Sequence, residues 1–206
     1  MAGWSEHAGQ AVALPLQNVD TDQLIPARFM THSRSDGYGR FLLHDLRRDA
    51  GGNELAEFPL NRHPNASVVV AGHNFGCGSS REAAVYALVD AGIRAVIAPS
   101  FGEIFAGNAV NNGLLPAQVS EDDAAALIDR LKEASGPLRI QLETGRISQG
   151  DLDLGFTLEP SWRTKLINGW DDIDLTLHHL PEIARHRANQ MHDNSWVRPK
   201  AGQSWP

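Results

Sequence analysis

The sequence predicts an α/β protein: a small mixed sheet flanked by helices, with an accessory β-hairpin. Two apolar runs of strand length, Val68–Ala71 and residues 94–98, carry that expectation, because each is followed by helix-like spacing. A change of period carries the rest. Beyond residue 137 the hydrophobic positions alternate, as in strands with one wet face.

Taken in order, residues 1–10 read as a loose leader, and residues 11–16 as a strand ended near Pro15. Asp20-Thr21-Asp22 reads as a polar turn capped by short acidic side chains. Residues 28–65 are punctuated by Gly37, Gly39, Gly51, Gly52 and Pro59, the composition of a long loop region, with a short helix expected over 38–46. After the strand at 68–71 comes a glycine-rich turn, then a helix marked by Ala83, Ala84, Ala87, Leu88 and Ala91. Ser79 or Ser80 stands where an N-cap belongs, and Glu82 completes a capping-box spacing with Ser79. Ser100 and Glu103 repeat that spacing before a helix that Asn108, Asn111 and Asn112 bring to its stop at Gly113. Residues 114–119 give a third strand. Residues 120–123 open an amphipathic helix with Ala124, Leu127, Ile128 and Leu131 on one face, stopped by Gly136-Pro137. Residues 138–142 alternate as a strand, 143–146 form a hairpin turn, and Ile147 continues beyond it. Leu152, Leu154, Phe156 and Leu158 alternate again. Residues 160–169 read as helical, 171–177 as a turn and short strand, and 178–192 as a helix fading into a polar tail over 190–206. With no linker in view, residues 1–206 are expected to form a single domain.

At 206 residues and 42% hydrophobic content the chain can bury one sizeable core. A formal charge of −7 lacks the basic footprint of a nucleic-acid or anionic-membrane binder. No apolar run approaches the length of a membrane span, and the first residues lack the basic and apolar regions of a signal peptide. A single cysteine leaves no internal disulfide and suits a reducing compartment, so a cytoplasmic location is expected. His178, His179, His186 and His192 have no repeating ligand spacing and no completing carboxylate, so they are not read as a metal site.

Chemistry concentrates in Gly76-Cys77-Gly78-Ser79-Ser80-Arg81-Glu82. The glycines open backbone angles closed to other residues and let a ligand approach the main chain. A helix N-terminus offers unpaired N–H groups to an anion. Arg81 adds a guanidinium able to grip a carboxylate through two parallel hydrogen bonds. The stretch is not a phosphate loop, since no Gly-Lys-Ser/Thr follows, nor a Gly-x-Ser-x-Gly elbow. Cys77 reads as a small residue of the turn rather than a ligand.

That stretch resembles the serine-serine-arginine signature of the aconitase superfamily. Two others agree in family order: Asn18-Val19-Asp20-Thr21-Asp22-Gln23-Leu24-Ile25-Pro26 and Ala98-Pro99-Ser100-Phe101-Gly102-Glu103-Ile104-Phe105-Ala106-Gly107-Asn108. Together, over roughly residues 10 to 185, the chain resembles the small subunits of bacterial 3-isopropylmalate dehydratases. The resemblance implies the swivelling β/β/α fold of the aconitase mobile domain. It also implies a hydro-lyase of leucine biosynthesis that isomerises 2-isopropylmalate and 3-isopropylmalate through isopropylmaleate. By motif position it makes Ser79 the base, Ser80 a supporting donor, Arg81 the carboxylate clamp and Glu82 a structural residue. Thr21 and Asp22 become candidates to line the site and orient the serine. Phe29 and Met30 become candidates to meet the substrate's apolar group and Arg28 a carboxylate, while Arg34 is read as a solvated surface charge. The superfamily's [4Fe–4S] cluster, whose open iron acts on the departing hydroxyl, needs several thiolates. One cysteine cannot hold it, so the cluster is expected in a large-subunit partner, in a heterodimer or heterotetramer. A small-molecule dicarboxylate, not nucleic acid or membrane, is the expected ligand. Relatives acting on methylmalate, dimethylmalate or homoaconitate, and a non-catalytic anion-binding module, are the other readings that these motifs leave open.

Overall fold

The computed structural model describes residues 2–133 and 136–193, and these fall into two compact units divided between Trp170 and Asp171. In the first unit, β1 (Glu6–Leu14) leads to a one-turn helix, α1 (Thr21–Leu24). Short helical turns fill the long loop region, among them Ala27–Thr31, Tyr38–Phe41, α2 (His44–Arg47) and α3 (Pro59–Arg62). Then follow β2 (Val68–Ala71), α4 (Glu82–Asp90), β3 (Ala95–Ala98), α5 (Glu103–Asn111), β4 (Leu115–Gln118) and α6 (Glu121–Glu133). β5 (Gly136–Gln141), β6 (Arg146–Gln149), β7 (Leu152–Gly155) and α7 (Pro160–Asn168) complete the unit. The second unit contains α8 (Asp172–His178) and α9 (Leu180–Asp193).

The strands form one seven-stranded sheet in the order β4-β3-β2-β1-β5-β6-β7. β1 to β4 run parallel, while β5, β6 and β7 continue the sheet as an antiparallel meander. The fold is therefore α/β, and the accessory hairpin is part of the main sheet. Both faces of the parallel half are covered at its centre, which is why β2 and β3 are unbroken apolar runs. Val69, Ala71, Val96 and Ala98 join one core with Leu88 of α4 and Phe41 of the loop region. Their neighbours Val68, Val70, Ala95 and Ile97 join a second core with Leu127 of α6 and Leu166 of α7. Pro116 is tolerated in β4 because that strand is an edge.

Several expectations need correction. The loose leader is shorter than residues 1–10, because β1 begins at Glu6 and pairs with β5 from Glu6↔Gln141 onward. Gly136 and Pro137 do not merely stop a helix; they open β5 opposite Ala11 and Gln10. Residues 171–177 are not a turn and strand. Asp171 caps a helix there, accepting from the Ile173 and Asp174 amides, and the local capping bonds override the apparent alternation. The polar tail beyond Asp193 lies outside the described residues.

Candidate active site

The site lies where ligands settle on open α/β sheets, beyond the carboxyl ends of the parallel strands. The loops leaving β1, β2 and β3 are tied to one another there by main-chain bonds. Asn18 N–H donates to the His73 carbonyl at 2.9 Å, Gly76 N–H to Val19 at 2.7 Å, and Thr21 N–H to Cys77 at 3.0 Å. From the other side Phe75 N–H donates to Ser100 at 3.0 Å and Gly102 N–H to Phe75 at 2.9 Å. Asn18 and Asn74 both take left-handed backbone angles, and the Asn74 side-chain amide donates to Asn18 Oδ1 at 2.8 Å.

Gly76 explains the first glycine of the motif. Its φ is +73°, and a Cβ there would meet the Phe105 ring at 2.2 Å, so an aromatic ring fills the space that any side chain would need. The loop then carries Ser79 and Ser80 outward, both exposed. What is held is the Ser79 main chain. The Ser79 carbonyl accepts from the Arg81 amide at 2.7 Å and from Thr21 Oγ1 at 3.0 Å. Thr21 is buried, 2% exposed, so its hydroxyl serves the serine's backbone.

The capping box expected from Ser79 and Glu82 is absent. Arg81 occupies the N-cap position with no side-chain cap, and Glu82 Oε1 instead accepts from the Asn112 side-chain Nδ2 at 2.9 Å, joining α4 to the end of α5. Both serine hydroxyls are thus left out of helix capping. Nor does Ser100 cap α5: Gly102 holds that position, and Ser100 Oγ accepts from the Asn74 amide at 2.8 Å. Capping-box spacing found two loop-locking positions and misassigned what each one does.

Arg81 pairs with Asp22, its side chain 23% exposed against 55% for the carboxylate. The guanidinium is therefore held in place before any ligand arrives, with further N–H groups left over from its five. Sequence reasoning named both residues and missed the pair they make across the two loops. Asp20 caps α1 in a true capping box with Gln23, as its turn-like surroundings suggested.

The remaining candidates are placed less simply. Arg28 pairs with Asp45, where the guanidinium and His44 hold the Asp45 carboxyl down at about 2. Phe29 stacks on Phe41 at 4.3 Å and packs against the core, so its ring is engaged by the fold; Met30 is the apolar candidate of this turn left exposed, at 40%. None of these contacts joins Arg28, Phe29 or Met30 to the serine loop. Arg34 is more than a solvated charge: it lies over the Tyr86 ring at 3.5 Å and reaches Asp90 at 3.9 Å, fastening the loop region along α4.

The donor set does not fit an iron–sulfur cluster. The chain has one cysteine, and among the described residues no group of three or more histidine, cysteine or acidic side chains could hold a metal ion.

Residues 1–122 match the family of aconitase C-terminal domains. A 3-isopropylmalate dehydratase small subunit from Shouchella clausii is 42% identical, the match covering 89% of this chain and 94% of that protein. The chain belongs to the 3-isopropylmalate dehydratase small-subunit family. Within it, the Shewanella baltica small subunit is 45% identical over 90% of this chain and 96% of its own length. A crystal structure of 3-isopropylmalate dehydratase from Methanocaldococcus jannaschii superposes with a TM-score of 0.62 at 27% identity, covering 88% of this chain and 99% of that one.

Proposed function

We propose that this chain is the small subunit of a hydro-lyase that converts 2-isopropylmalate to 3-isopropylmalate through isopropylmaleate, in leucine biosynthesis. It works only when joined to a larger subunit that carries the iron–sulfur cluster. One observation carries the reading. A Ser-Ser-Arg loop with both serines exposed stands at the carboxyl ends of the parallel strands, in a chain 42% identical to a small subunit of that name.

The chemistry demands removal of a proton from a carbon next to a carboxylate and departure of hydroxide from the adjacent carbon, together one water, which then adds back with hydrogen and hydroxyl exchanged between the two carbons. A serine hydroxyl is a weak base unless donors are aimed at the alkoxide. Ser79 is assigned the proton transfer. Its reach is set by the Thr21 and Arg81 bonds to its own carbonyl. Ser80 is assigned a hydrogen bond to the reacting group. Arg81, steadied by Asp22, is assigned a substrate carboxylate. Met30 is assigned to the substrate's apolar side group, and Arg28, which pairs with Asp45, to a carboxylate. The cluster is assigned to the partner, since the donors of this chain do not suit it.

The test is reconstitution under anaerobic conditions with the larger subunit, following the absorbance of the unsaturated acid. A signal from the mixture alone supports the proposal, and 2-isopropylmalate should outrank methylmalate, dimethylmalate and homoaconitate. Equal turnover of all four acids would remove the substrate assignment.

A further inference from the structure

Beside the serine loop, α5, the end of β4 and the start of α7 enclose a groove of about 270 Å³. Phe101 and Trp162 supply its aromatic surface, and Glu103 and Glu159 supply two exposed carboxylates. Neither carboxylate is paired with a cation among the described residues, whereas Asp22, Asp45 and Asp153 each hold an arginine. Ile104, next to Glu103, is 56% exposed. Two unneutralised carboxylates around an indole match the recognition chemistry of a cationic side chain, by charge and by cation–π attraction.

We propose that this groove is a docking point for the larger subunit and receives a lysine or arginine side chain from it. The inference rests on the proposed function, in that a partner closes over Ser79. Position supports the choice of occupant. Phe101 forms a parallel bridge with Phe75, and Gly102 lies so close to Gly76 that a Cβ on it would stand 2.5 Å from the Gly76 carbonyl oxygen. Gly76 is three residues from Ser79, a span of at most about 11 Å. A standard interface covers about 800 Å² per partner, a disc of roughly 16 Å radius. A subunit that seals the serine loop therefore reaches the mouth of the groove. Burying two carboxylates there without a counter-charge would be unfavourable, so the covering surface must bring one.

The experiment measures binding rather than turnover. The larger subunit is immobilised anaerobically, and the native chain, Glu103→Lys/Glu159→Lys and Glu103→Gln/Glu159→Gln are titrated over it, with each chain's melting temperature as a control for folding. The doubly reversed chain should bind at least about tenfold more weakly, and the neutralised chain should lie between it and native. At saturating concentration both should support turnover within about twofold of native, because the serine loop is untouched. Native-like affinity in either folded variant overturns the groove as a docking point. Failure of the native chain to bind overturns the proposed function instead, and Ser79→Ala separates the two further: it should bind like native and fail in turnover.

Discussion

Ser79 and Arg81 are held in different ways, and the difference sets what each substitution should do. The serine's hydroxyl is outside the capping scheme, so Ser79→Ala should leave folding and assembly intact. Turnover of the assembled enzyme should fall by roughly two or more orders of magnitude, the worth of a positioned proton-transfer group. Steady-state kinetics of the reconstituted pair reads this directly, and near-normal turnover would remove Ser79 from its role. Arg81→Lys keeps the charge and loses the planar fork, so it should also lower turnover by roughly two orders of magnitude. His7 supplies a pH-dependent term remote from that chemistry. Burial first, and the Arg94 guanidinium second, hold its imidazolium below the ordinary histidine value. A base whose folded pKa is depressed binds its proton less readily folded than unfolded. Its contribution is complete above the unfolded value and is lost as pH falls through it toward the folded value. Urea midpoints should therefore drop on acidification through the ordinary histidine range, and His7→Gln should flatten that slope.

At the scale of elements, the loop between β2 and α4 is a strained turn made rigid by its neighbours. Gly76→Ala should cost about 1–3 kcal/mol from its positive φ, before the collision with Phe105 is counted. Thr21→Val keeps the shape and removes the hydroxyl bonded to the Ser79 carbonyl. It should cost about 1–3 kcal/mol and lower kcat of the assembled enzyme. Denaturant unfolding checks both losses. The central strands β2 and β3 were legible because burial on two faces writes an uninterrupted apolar run, and Val68–Ala71 is one. The loops were legible only by residue type. Ser79, Ser100 and Asp22 stood out as polar groups at turn positions, but their partners, Thr21, Asn74 and Arg81, come from other loops. Sequence spacing carries no record of such crossings. The capping box at Ser100 failed for the same reason, since its hydroxyl serves the Asn74 backbone amide of another loop, whereas at Ser79 the helix starts later, with Arg81 in the N-cap position. Asp171, free of such competition, capped locally and turned an apparent strand into α8.

For the whole molecule, the described residues leave the chemistry half built. The serine loop is exposed, the chain's donors do not fit a cluster, and the adjoining groove carries unneutralised charge. Each feature points to a protein that completes its site by assembly. The second unit adds four exposed apolar side chains, Ile173 and Leu177 on α8 and Leu180 and Ile183 on α9, all at least 44% exposed. The most direct measurement is anaerobic conversion of 2-isopropylmalate by this chain, by the larger subunit, and by increasing ratios of the two. Activity should be undetectable in each alone and should rise with added chain to a plateau at equimolar sites. Dehydration by the isolated chain, or none from the stoichiometric mixture with an intact cluster, would contradict the account.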